Sequence, residues 1–199
     1  MFQLNALALL ALPLLAASCA HNNPYRPASH NEEKEYHQSL VDLYPDDVRR
    51  NLDQYTNAII AWAGVIRETE AHETNNNMFI ASTTVEHKYY DWEVDHSTSG
   101  EKINLSPRGE GAFRFEWLVH RREDDATTAD VEKYAGPGKM ILVYGTPDGI
   151  EDNTIILKYR FLRIIEKDHF NMTQYDYGRF GQPVHYIGPK LEKTPKKDK

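Results

Sequence analysis

The chain has 199 residues, 40% of them apolar and 27% charged, and a formal net charge of -7. That length holds one domain with modest tails and a genuine hydrophobic core. The acidic balance argues against a nucleic-acid partner, which calls for a concentrated basic surface, and a single cysteine excludes an internal disulfide framework.

Residues 2–18, FQLNALALLALPLLAAS, carry no charge and end at Cys19. The apolar part, from Leu4 to Leu15, is shorter than the about 20 residues of a spanning helix and runs into the polar tract AHNNPYRPASHNEEKE. This is the pattern of a secretory signal. Ala16, Ala17 and Ser18 before the cysteine resemble a bacterial lipobox, so residues 1–18 are expected to be a lipoprotein signal peptide cut before Cys19. The resemblance implies lipid attachment at Cys19: diacylglycerol on the thiol and an acyl chain such as palmitate on the new amine. Ala20 in place of Asp after the cysteine implies onward export to the outer membrane. Ordinary secretion, with cleavage near Ala17 or Ala20, is the alternative. Two arguments favour lipid. A lone thiol in an exported chain has no partner to pair with, and each buried CH₂ of an acyl chain contributes roughly 0.8 kcal/mol to anchoring.

Residues 19–44 are rich in Asn, His, Glu and Pro and are expected to be a flexible linker between lipid and fold. A short helix is predicted from Pro45-Asp46-Asp47, acidic in its first turn, with Val48, Leu52, Tyr55 and Ile59 on one face to cap the end of a sheet. IIAWAGVIRETEAHE then reads as a first strand. Its alternation places Trp62, Gly64, Ile66, Glu68, Glu70 and His72 on one face, with Ala63, Val65, Arg67, Thr69 and Ala71 on the other. A second strand runs from residue 78 to about 94, and the stretch 95–111 reads as a polar connection. AFRFEWLVH is a third strand with Phe113, Phe115, Trp117 and Val119 on one side. After a longer crossing with one helical turn at 130–134, KMILVYG is a fourth strand, TPDG a turn and TIILKYRFLRIIE a fifth, with Ile155, Leu157, Tyr159 and Phe161 facing together.

Five strands of unequal length, with the longest connection between the third and fourth, outline an all-β fold. The expectation is a small closed antiparallel barrel of the oligonucleotide/oligosaccharide-binding (OB) type, with a short N-terminal helix, since closure removes exposed edges. A two-sheet sandwich is the alternative. The domain spans 45–188, including an aromatic, Gly-rich C-terminal extension that wraps the barrel as irregular chain or an extra strand. The lysine-rich tail 189–199 is expected to be disordered.

Three stretches resemble the Slp family of Gram-negative outer-membrane lipoproteins, the starvation-inducible group. They are AWAGVI (61–66), VEKYAGPGKMILVYGTPDG (131–149) and ILKYRFLRI (156–164). The chain departs from the family pattern at Ala63, where a glycine is usual, and at Gly111-Ala112-Phe113, where the family has Gly-Arg-Phe. The resemblance implies an envelope protein at the outer membrane, lipid-anchored on its periplasmic face, with a structural or stress-related role. It supplies no catalytic residue.

Chemistry-bearing groups are sparse. Glu68, Glu70 and His72 share a strand face, with His87, Asp91, Asp95 and His96 as further metal-ligand candidates, but alternating polar residues are also what a solvated strand face looks like. Ser82, Thr83 and Thr84 near His87 lack a nucleophile-elbow motif. No metal, cofactor or catalytic residue is expected, and the protein reads as a non-enzyme. The first alternative is a module binding a small ligand or glycan through an aromatic face of Phe113, Phe115 and Trp117. The second is a metal-dependent enzyme. Expected partners are membrane lipid through Cys19 and an envelope protein or glycan.

Overall fold

The computed structural model describes residues 25–74, 78–92, 103–121, 126–172, 175–177 and 183–185. Three short helices lead in: α1 (His30–Tyr36), α2 (Pro45–Arg50) and α3 (Leu52–Tyr55). The sheet follows as β1 (Ile60–Glu73), β2 (Met78–Tyr90), β3 (Ile103–Ser106) and β4 (Ala112–His120). After α4 (Thr128–Tyr134) come β5 (Met140–Glu151), β6 (Thr154–Ile165), β7 (Phe170–Met172), β8 (Tyr175–Tyr177) and β9 (Pro183–His185).

Five strands close on themselves in the order β1-β5-β6-β4-β2, with β2 pairing back to β1. Every neighbour is antiparallel except β4 and β6, which run parallel. This is the OB-type barrel, with α4 placed between its third and fourth strands. Closure is what rules out two separate sheets, because β1 is hydrogen-bonded on both sides. Gly64 lies on the tight β1–β2 crossing. A methyl group there would stand 2.4 Å from the Glu86 carbonyl oxygen, so only glycine lets the strands approach.

Alternation fills the barrel with Ile60, Trp62, Ile66, Phe79, Val85, Phe113, Phe115, Ile141, Val143, Ile155 and Leu157. It also overturns the proposed aromatic ligand face. Phe113, Phe115 and Trp117 are 0%, 1% and 7% exposed, and their side chains belong to the interior. The outward partners on the same strand are Arg114, Glu116 and Leu118. Big rings at period two mark the dry side of a strand, where burying each contributes about 1.5–3 kcal/mol.

Two bulges revise the expected faces. In β1 the register slips between Ile66 and Glu68, leaving Arg67 without a cross-strand partner on β2. Trp62 and Ile66 face inward before it. Past it Thr69 and Ala71 turn toward the core, while Glu68, Glu70 and His72 stand exposed outside. In β6 a slip between Tyr159 and Phe161 sends Phe161 outward and Leu162 and Ile164 inward. One extra residue reverses every side chain after it. The same bulging carries β5 straight through TPDG, and the tight turn falls instead at Asp152 and Asn153, both at positive φ (45° and 66°). Residues 103–106, expected as connection, form β3, which buries Ile103 and Leu105.

The predicted capping helix is present but broken at Asn51 into α2 and α3; Val48 is buried and Leu52 and Tyr55 pack on the barrel core. The expected linker needs a larger correction. From Tyr25 onward it is folded against the barrel, with Tyr25, Glu32 and Leu43 buried. The C-terminal extension adds β7 beside β3 and the separate hairpin β8–β9. Cys19 and the rest of 1–24, Asp95, His96, and the tail 189–199 lie outside the described residues.

Candidate functional site

The ladder between β4 and β6 is short. It pairs Ala112 through Phe115 with Thr154 through Leu157 and then stops. Continued by one residue, it would set Glu116 opposite Lys158, yet these two make no ion pair among the described residues. The strands part because β6 is held elsewhere. Its bulge lies at Arg160, whose Nε donates to Glu35 Oε2 of α1 at 2.6 Å, so β6 follows β5 and α1 away from β4.

The parting opens a cleft of about 680 Å³. Ile80, Leu118 and Ile156 form its apolar lips, and Phe115, Trp117, Leu157 and Tyr159 line it from within the barrel. Leu118 is 51% exposed and shares this apolar rim with Ile80 and Ile156. Arg114 and Glu151 form an ion pair at one end, while Glu116, Asp148 and Lys158 stand around the mouth. The floor is rigid. Trp117 Nε1 donates to Thr83 Oγ1 at 2.9 Å, Thr83 meets Thr69 Oγ1 at 3.1 Å, and Thr69 Oγ1 donates to the Ala135 carbonyl at 2.8 Å. This site takes only Phe115 and Trp117 from the expected ligand face, as floor rather than platform. Leu118, Ile80 and Lys158 carry no sequence signal, because which strand neighbours β4 is a long-range property.

The candidate metal and acid–base residues do not converge. Glu68, Glu70 and His72 are exposed on the outer face of β1, whereas His87 points inward from β2. No group of three or more His, Cys, Asp or Glu among the described residues is placed to hold a metal. His87 packs against Trp62, with ring centroids 5.5 Å apart, and hydrogen-bonds to the backbone at Gly109, while its Nδ1 has no partner among the described residues. Burial pushes this imidazole down to about 3, so it stays neutral in the core. Neither His72 nor His87 hydrogen-bonds a carboxylate among the described residues.

A second assembly ties the N-terminal segment to the barrel wall. The Glu32 carboxylate is fully buried. It accepts from Tyr25 OH at 2.6 Å, Tyr144 OH at 3.0 Å and the Ala28 amide at 2.7 Å, and Arg163 Nη1 lies 3.6 Å away. Burial raises both phenols above their ordinary range, so they remain neutral donors to the carboxylate. Tyr25 also meets Tyr90 and Trp92 edge-on at 5.6 and 5.3 Å. A local signal for this helix exists in Ser29-x-x-Glu32, the spacing of a capping box. Ser29 Oγ does accept from the Glu32 amide at 3.2 Å.

Among the described residues no helix is long and apolar enough to cross a membrane. No protein-family model matches the chain, and no curated protein matches it either.

Proposed function

We propose that the protein is a lipid-anchored outer-membrane lipoprotein of the Slp type, a non-enzymatic envelope component with a structural or stress-related role. The reading is supported by an uncharged leader ending at the chain's one cysteine. The observation that carries it is how near that cysteine lies in sequence to the first described buried residue. Tyr25, buried against Tyr90 and Trp92, follows Cys19 by six residues. Six residues reach at most about 20 Å. Acylated Cys19 would therefore hold the barrel close to the lipid headgroups, as a compact surface-seated domain and not one on a long leash.

A second reading, a small-ligand or glycan-binding module, is favoured by the cleft between β4 and β6, whose size suits a small ligand. The lipoprotein reading is tested by fractionating cells that express wild type or Cys19→Ala and measuring the intact mass of the mature N-terminus. Acylated protein in the outer-membrane fraction is expected for wild type, and unacylated, displaced protein for the variant. Wild type cleaved after Ala20 and recovered soluble would end this reading.

A further inference from the structure

We propose that the slot between β4 and β6 takes up an extended, lysine- or arginine-bearing peptide of a partner protein as an added strand. The inference stands on the barrel alone and does not need the lipid anchor. β4 is paired to β2 along its whole length, through Met78 and His120, and β6 is paired to β5 through Ile165. On the sides that face each other, residues 116–120 and 158–162 have no ladder partner among the described residues. Strands carry alternating N–H and C=O groups along both edges, and an unmet edge is a template for another strand.

The slot also selects its guest by chemistry. Its floor is Trp117 and Tyr159, so side chains pointing inward must be small and apolar. Those pointing outward would lie beside Leu118 and Ile80, which favours β-branched or aliphatic residues at alternate positions. Charge complementarity sets the rest. Glu151 is already held by Arg114, leaving Glu116 and Asp148 against Lys158 at the mouth. The mouth is net acidic, and a cationic side chain flanking the apolar stretch meets it.

The test pans a displayed library of random nonapeptides against the purified full chain, then measures binding of the enriched peptides and amide exchange in the complex. Expected are sequences alternating apolar residues with lysine or arginine, and slowed exchange confined to 116–120 and 158–162. Leu118→Asp and Glu116→Lys should each weaken binding about tenfold with melting unchanged, because both side chains are exposed. Glu70→Lys, outside the slot on β1, should leave binding as it was. No enrichment over the naive library, protection elsewhere, or equal binding by the slot variants would overturn the proposal. So would tighter binding after deletion of 189–199, which would make this chain's own basic tail the occupant. Self-association abolished by Leu118→Asp would make it a second copy.

Discussion

At His87 a single buried ring links packing to pH. The imidazole is enclosed beside Trp62, and burial outweighs the hydrogen bond at Gly109 that favours the charged form. Its folded-state value, about 3, lies below the ordinary 6.5, so as pH falls the unfolded chain takes up the proton first. Stability from this residue is complete above about 6.5 and declines toward 3, with a slope approaching about 1.4 kcal/mol per pH unit. Glu86 behaves differently. The hydrogen bond from Lys88 holds its carboxyl below the usual carboxylate range, so its contribution is lost only under about 4.5. Urea unfolding at a series of pH values between 6.5 and 4.5 should show wild type losing stability faster than His87→Leu, by close to one proton's worth. Parallel curves for the two would contradict the buried, neutral histidine.

Among the elements, α1 is the one whose attachment depends most on polar contacts. Its seven residues are too few to be helical alone, and it is fixed by Glu32 reaching into the wall between Tyr25 and Tyr144. Removing an acceptor shared by two phenols and an amide leaves those donors buried and unmet, which costs about 3–5 kcal/mol when a charge is part of the network. Glu32→Ala is expected to destabilise the protein by about that amount, read as a lower denaturant midpoint. Trp92 packs against Tyr25, so its fluorescence should change in the variant before the barrel unfolds. A variant as stable as wild type would mean the N-terminal segment is held by its aromatic contacts alone.

For the whole molecule the decisive feature is closure around one interior. Phe113 sits at its middle, against Trp62 at 5.4 Å and Phe115 at 6.4 Å, on the strand that bridges β2 and β6. Phe113→Ala is expected to cost about 3–5 kcal/mol, measured by thermal or urea unfolding. A loss under about 1 kcal/mol would show that the cavity collapses and that the barrel is softer than its packing implies. The same closure explains the cleft. A five-stranded ring must coil strongly to shut, and β6, bent at Arg160 and tied to α1, leaves β4 after four pairs.

Alternation within the sequence was enough to place β4 from Ala112 to His120, the start of β2, the helical turn before Gly136, and an all-β barrel as the class. These are local patterns, written by side chains that must face either core or water. Only the tertiary structure decided the faces of Glu68, Glu70 and His72, the outward turn of Phe161 and the folding of 25–43 onto the wall. A bulge is chosen by the partner strand's register, and Tyr25 looks like a linker residue until Glu32, Tyr90 and Tyr144 surround it. The cleft is the extreme case: Leu118 and Lys158 are far apart in sequence, and it is the parallel pairing of β4 with β6, and its early end, that brings them to one opening.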